Sequence, residues 1–470
     1  MENISLDQRL VNATSVSSAE NEGNSGEYAS EKEENLTITA AISNPKMFTL
    51  PWHLPLSQWP EDMLLNLPRG ISRHIVRFVR VGDENCAFKE INKSVAEREY
   101  ELLRQLEKTD VPAVKPVAVV TGRKNSEGEP LEAILVTEHL KFSLPYRALF
   151  AHKLRQDTAE LLIDALAVLM VRLHLVGFYW GDVSLSNVLF LRDADSFAAF
   201  LVDAETGELY PSLTDGQREY DVELARTNII GELMDLNCGN LLPDGVDEVE
   251  IGNRLSERYH SLWQALTGTT LFNPDEMWKI EKMVDNLNNL GFDVDELEVK
   301  TASDGNRVCV RPRVVDAGYA SRKLLRLTGL DVQENQAKRL LHDLESYRAS
   351  TWRDGEDPDI VATDWMREVF EPAVKQIPPE YRALIEPAQF FHEVLNHRWY
   401  MAEKAGHDVS TQLAVEDYIK QYLQDYRVDT RVIRAITEEA DSGVLDDRNQ
   451  TSAAGSDIVN EDPDAAVWSC

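Results

Sequence analysis

The spacing of apolar positions reads as strands near the start of the chain and helices after them. IVRFVRV alternates Ile75, Arg77 and Val79 with Val76, Phe78 and Arg80, the period of a strand. GDEN supplies a turn, and CAFKEI follows as a second strand with Lys89 near its end. Ser94 and Glu97 read as a capping box opening a helix to about Lys108, with Glu99, Leu103 and Leu106 on one face. LEAILVTEHL reads as a further strand. Asp157 and Glu160 read as a second capping box, ahead of a helix from Leu161 to Leu175 that is apolar nearly all round and so buried. The chain then turns at Gly181-Asp182 and passes Asn187 into the apolar strand NVLFL. It turns again through RDADS and returns as FAAFLV to Asp203.

Helices dominate afterwards: YDVELARTNIIGELMDL, NRLSERYHSLWQALTG, VQENQAKRLLHDLESYR and TQLAVEDYIKQYLQDYR. The third puts Ala337, Leu340, Leu341 and Leu344 on one face, and the last makes a stripe of Val415, Ile419, Tyr422 and Tyr426. Between them DELEVKT, SDGN and RVCVRPRVV read as a hairpin. Trp52 and Trp59, among prolines, read as packing anchors. Both ends are poor in large apolar residues and read as disordered.

Composition narrows the classes. The 470 residues are 43% hydrophobic and 27% charged, as in a soluble globular protein with room for two or three domains. The net charge of −33 repels nucleic acid and anionic lipid, so neither is an expected partner. Cys86, Cys238, Cys309 and Cys470 are far apart, which fits a reducing, cytoplasmic setting and no structural zinc. MENISLDQRL does not read as a signal peptide, and Leu161 to Leu175 is too short to span a bilayer. No P-loop motif occurs.

Asp182, Asn187 and Asp203 carry the chemistry. Two carboxylates and an amide oxygen at the ends of a small strand pair suit a magnesium nucleotide. Asn187 and Asp203 would hold the Mg2+, and Asp182 would face an acceptor hydroxyl. The pattern G-D-x4-N followed by h-h-x-D resembles the catalytic and metal-binding segments of the protein-kinase-like superfamily. The G-D pair is similar to aminoglycoside and choline kinases and to lipopolysaccharide-kinase-like proteins. The resemblance implies that Lys89 holds ATP phosphates and is positioned by Glu99, with Glu97 as substitute partner. It makes LEAILVTEHL the hinge strand, with Thr137 as gatekeeper and the backbone of Glu138 and Leu140 meeting adenine. It also makes LPRGISRH the phosphate-covering loop, reduced to Gly70 with Arg69 and Arg73 beside it. Asp221 resembles the buried Asp that props the catalytic loop, and Glu205 could add a carboxylate near the metal. The short run from Asp203 to the next helix leaves little room for a peptide-docking segment, which favours a small-molecule or glycan-like acceptor.

The expected fold is therefore α+β, a two-lobed protein-kinase-like fold with a small antiparallel β lobe, a helical C-lobe and an additional mainly helical C-terminal domain. The expected divisions are a disordered tail at 1–46, an N-lobe at 47–141, a C-lobe at 142–245, the helical domain at 246–437 and a disordered acidic tail at 438–470. The second half resembles the remainder of a bacterial lipopolysaccharide-kinase-like family of unknown function. His392, Glu393 and His397 imitate H-E-x-x-H, but the wider spacing swings the second His about 140° from the first on a helix, wrong for a zinc protease. Arg311, Arg313, Arg322, Lys323 and Arg326 read as balancing acidic neighbours, or else as binding an anionic group of the substrate. Two readings stand. One is an ATP- and Mg2+-dependent kinase. The other is a pseudokinase-type nucleotide-sensing or scaffold protein, without phosphotransfer, whose pocket controls docking of the helical domain onto a protein partner.

Overall fold

Strand alternation in the first lobe resolves into the two faces of one sheet in the computed structural model of the protein. The structure describes residues 35–41, 44–67, 73–109, 111–150, 158–239, 241–242, 245–268, 270–273, 276–289, 292–301, 308–353 and 355–423. β1 (Thr37–Ala40), β2 (Leu64–Leu65), β3 (Ile75–Val81) and β4 (Glu84–Ile91) precede helix α1 (Lys93–Glu107). β5 (Pro116–Thr121) and β6 (Ala133–Glu138) follow it. They form an antiparallel sheet in the order β1-β5-β6-β4-β3-β2.

Both faces of the sheet are covered, which is why β5 and β6 read as nearly continuous apolar runs. Val119, Ala133, Leu135 and Ile91 face α1 and the main core. Phe88, Ala118, Val120, Ile134 and Val136 face the other way, onto Trp52 and Trp59. Those two tryptophans and Phe88 pack ring to ring, with centroids 5.3 to 6.1 Å apart. Arg123 is buried and ties this covering segment down. It donates to the carbonyls of Trp52, Leu54 and Glu132 and to the Glu90 carboxylate at 2.8 Å.

The lower lobe begins with β7 (Leu144–Pro145) and α2 (Tyr146–Phe150), then the buried helix α3 (Thr158–Leu175) and β8 (Phe178–Tyr179). The hairpin of β9 (Val188–Asp193) and β10 (Ser196–Leu201) keeps unbroken register from Val188↔Leu201 to Asp193↔Ser196. β11 (Glu208–Leu209), α4 (Asp215–Cys238) and α5 (Glu248–Thr267) complete this core. β12 (Thr270–Phe272), α6 (Met277–Asn289), β13 (Phe292–Thr301) and β14 (Val308–Ala317) follow. A second core belongs to α7 (Tyr319–Thr328), α8 (Glu334–Ser350), α9 (Pro358–Trp365), α10 (Glu371–Val374), α11 (Pro387–Ala405) and α12 (Thr411–Gln421).

Several expectations shift. Strand β1 lies inside the segment expected to be a tail, and its register with β5 pairs Ile38 with Val120. Helix α1 is capped by Asn92, whose side chain accepts from Ser94 N–H, so Ser94 is inside the helix and not its cap. The expected division at residue 245 cuts a single core: Leu255, Tyr259 and Leu262 of α5 pack with α3 and α4, and the second core begins at Ala320. On α12 the buried stripe is Ala414, Val415 and Tyr418, with Ile419 beside it, while Tyr422 is largely exposed. Residues 1–34, Asp157, the SDGN turn, Tyr426 and the expected acidic tail lie outside the described residues.

Removing Arg123 would leave the Glu90 carboxylate buried without its cation, a change that typically costs about 3–5 kcal/mol. Urea unfolding of Arg123→Ala is expected to show a loss of that order. A loss of about 1 kcal/mol or less would mean that the Trp52–Trp59 segment is held by its rings alone.

Candidate active site

The alternation of β4 aims Lys89 to the same side as Ile91, toward α1. A single residue, Asn92, joins β4 to α1, so Glu99 arrives opposite Lys89 although the two are only ten positions apart. The Lys89 ammonium donates to Glu99 Oε2 at 3.1 Å and to Asp203 Oδ2 at 2.8 Å, and lies 3.6 Å from Glu205 Oε2. Glu99 is fully buried, and its second oxygen accepts from Ala204 N–H at 3.2 Å. Burial pushes its carboxyl up to about 7 against the opposing pull of Lys89. Lys89 itself is raised: burial works against its charge, but Glu99 and Asp203 outweigh it. Glu97, the substitute partner, is exposed.

The loop that carries Asp182 is held by one face of α4. Asp221 is fully buried and accepts from Trp180 N–H at 2.9 Å, Gly181 N–H at 2.8 Å and His174 at 3.0 Å. Two turns on, Asn228 donates to Val183 C=O at 3.0 Å and reaches Asp182 Oδ1 at 3.5 Å. One turn further, Glu232 accepts from Leu185 N–H at 2.7 Å, from Ser186 N–H at 3.0 Å and from the Ser186 hydroxyl. Gly181 sits at φ +76°, a left-handed conformation that a side chain would strain, which accounts for glycine before Asp182.

Asp182 and Asn187 meet at the end of this loop. Asn187 Nδ2 donates to Asp182 C=O at 3.0 Å and to its carboxylate at 3.3 Å, which leaves the Asn187 amide oxygen for a cation. Val202 N–H bonds Asn187 C=O at 3.0 Å, so the two ends of the β9–β10 hairpin stay adjacent, with Asp203 next in the chain. Asp203 Oδ1 accepts from Glu205 N–H at 3.0 Å.

Four further contacts went unread in the sequence. Arg73 lies 3.8 Å from Asp182, and His74 bonds Glu205 at 3.0 Å. Asn228 and Glu232 recur with Asp221 at helical spacing, and that polar stripe on an otherwise apolar face was the available signal.

At the expected hinge, Glu138 N–H is engaged by Lys115 C=O at 2.8 Å, which takes its amide out of use for a ligand. Leu140 C=O accepts from Ser143 N–H at 3.3 Å. Arg69 and Gly70 lie outside the described residues, as do the side chains of Arg311 and Arg313. His392 bonds Asp195 and His397 bonds Asp417, so the two histidines serve different neighbours. Arg326 lies 3.7 Å from Asp359. Arg322 lines a separate cavity of about 1260 Å³ between the back of the hinge and α7–α8, which none of Lys89, Asp182, Asn187 and Asp203 touches.

Residues 80–226 match the Lipopolysaccharide kinase (Kdo/WaaP) family. That segment holds Lys89, Glu99, Asp182, Asn187, Asp203 and Asp221. Residues 261–423 match a domain of unknown function, DUF4032. No curated protein matches the chain. Among solved structures, "WaaP in complex with acyl carrier protein" is similar over 54% of this chain and 99% of that one, at 15% identity and a TM-score of 0.32. The fold is α+β, and among the described residues no helix is long and apolar enough to cross a membrane.

Between about pH 4.5 and about 7 the folded chain holds the Glu99 proton more tightly than the unfolded chain does. Stability from this group is present at low pH and lost as pH rises through the folded value. Relative to Glu99→Gln, the wild type is expected to lose stability across that window and then level off. Urea unfolding of both proteins from about pH 5 to about 8 checks this, and a difference that does not vary with pH would contradict it.

Proposed function

We propose that the protein transfers the γ-phosphoryl group of ATP, with Mg2+, to a hydroxyl of a small-molecule or glycan-like acceptor. The observation that carries this reading is the single ammonium of Lys89 bridging Glu99 and Asp203 across the two lobes, with Asn187 bonded to Asp182 and tied by its carbonyl to Val202, the residue before Asp203. The family name attached to residues 80–226 supports a sugar-containing, lipopolysaccharide-like acceptor.

The donor set fits magnesium. Asn187 contributes an amide oxygen and Asp203 a carboxylate, both hard ligands, and each Asp203 oxygen keeps a second lone pair beyond its present hydrogen bond. When bound, the ion neutralises charge on the phosphates. The protein's own groups do the rest. Lys89 binds phosphate oxygens, and Glu99, anchored by Ala204 N–H, fixes the ammonium. Asp182, steadied by Asn187 and Asn228, orients the acceptor hydroxyl and takes its proton as the oxygen–phosphorus bond forms. Glu138 C=O and Leu140 N–H are the hinge groups suited to the adenine edge. Between Asp203 and α4 the chain adds only the two-residue strand β11, paired with β8, which is too little to dock an extended peptide.

Mg-ATP is expected to raise the melting temperature by linkage. Asp182→Ala is expected to keep that shift but lower turnover by about 10²–10⁴-fold, measured as ATP consumption with a cell extract supplying acceptor. Asp203→Ala is expected to lose most of the shift. A wild type that does not shift at millimolar Mg-ATP would favour the scaffold reading.

A further inference from the structure

Within the segment that matches a domain of unknown function, helices α8 and α11 grip the tip of the β9–β10 hairpin. Every residue of that tip, Arg192 to Asp195, is bonded from the helical layer. The Asp193 carboxylate enters the N-terminus of α8. There it accepts from Gln336 N–H at 2.8 Å, Asn335 N–H at 3.2 Å and Asn335 Nδ2 at 3.0 Å. It thereby satisfies first-turn amides that an isolated helix leaves open. Gln336 Nε2 donates to Arg192 C=O at 3.0 Å. From α11, Gln389 holds the Ala194 peptide at both ends. Its oxygen accepts from Ala194 N–H at 3.1 Å, and its amide donates to Ala194 C=O at 3.1 Å. His392 and Asn396 bond Asp195 at 3.1 and 3.2 Å.

The tip is held in a costly shape. Ala194 has φ +57°, in the left-handed region that a hairpin normally assigns to Gly, Asn or Asp. Such backbone persists where its surroundings over-determine it, and here Gln389 fixes both polar groups of that residue. The other end of the same hairpin carries the two residues assigned above to the metal. Asn187 directly precedes β9, and Asp203 follows shortly after β10. Six paired residues on each strand, without a register shift, connect the two ends.

We infer that the helical layer is a positioning module for the nucleotide site: Asn335, Gln336 and Gln389 fix the hairpin tip, and the hairpin carries that constraint to Asn187 and Asp203. This rests on the nucleotide reading proposed above. The residues concerned touch neither nucleotide nor metal, so they are positioning residues. Their effect falls on the metal-dependent part of binding. Lys89 and Glu99 meet the hairpin's end through Asp203 and Ala204, but they belong to the other lobe and are bonded to each other at 3.1 Å, so the phosphate-binding ammonium keeps a partner that does not depend on the hairpin.

The test compares affinities for Mg-ATP, and for ATP in excess chelator, in the full-length wild type, Gln389→Ala and the milder Asn335→Ala. Each protein is checked for folding by circular dichroism and a single cooperative melt. The expected result is a loss of about tenfold in Mg-ATP affinity for Gln389→Ala and a smaller loss for Asn335→Ala, with metal-free ATP affinity unchanged in both. Unchanged Mg-ATP affinity in a folded variant overturns the inference and leaves the nucleotide reading intact. Equal losses with and without metal also overturn it, because they signal general loosening. A wild type that binds no Mg-ATP overturns both together. Should Gln389→Ala fail to fold, Asn335→Ala decides by the same criteria.

Discussion

A carboxylate as deeply buried as Glu99 is tolerable only with a cation against it, and Lys89 is that cation. Much of the upper lobe follows from bringing the two together. The strand must present Lys89 inward, the helix must start within one residue of the strand, and Glu99 must share the face of Leu103 and Leu106. Ala204 N–H then secures the second Glu99 oxygen, and Ala204 neighbours Asp203, so the upper-lobe ion pair is stitched to the lower-lobe carboxylate. The same ammonium that relieves one burial cost thereby sets the gap between the lobes.

The lower lobe solves a matching problem in a different way. Residues 180–186 form an irregular segment whose backbone cannot be satisfied by a ladder. Helix α4 supplies the missing partners through Asp221, Asn228 and Glu232, one after another along a single face. Glu232 is raised by burial, and the amides and hydroxyl of Leu185 and Ser186 offset part of that cost. A loop fixed at three successive points presents Asp182 in one orientation, as chemistry that depends on alignment requires.

How far this was legible depended on whether a signal was local. Lys89, Glu99, Asp182, Asn187 and Asp203 could be proposed because each sits at a definite place on a strand, helix or turn; the structure bonds Lys89 to Glu99 and Asp203, and Asn187 to Asp182. Asp221 was legible by resemblance. Asn228 and Glu232 obey the same helical spacing, but that stripe marks a polar face without naming its partners, which are mostly backbone groups of residues 183–186. Arg123 was missed because its partners are three carbonyls and a glutamate distant in sequence. The division at residue 245 failed for a related reason. Helix α5 carries an ordinary amphipathic pattern, and nothing in that pattern says whose core its apolar face fills.

The hairpin tip shows most plainly how a local pattern can mislead. RDADS reads as a polar turn, and polar turns are normally solvent-facing, with their carboxylates hydrated. Here Asp193 is buried, and burial pushes it up to about 6 even though Gln336 and Asn335 amides pull the other way. A buried carboxylate in a turn is costly unless something lies over the turn, and the helical layer is what lies there. Ala194 adds a second cost at the next position, again offset only from outside the hairpin. Neither cost is needed to close a two-residue hairpin, since Asn-Gly would close it without help. Both make sense if the turn is shaped for the helices that bind it, and those helices then become a support for the part of the chain that carries the candidate site.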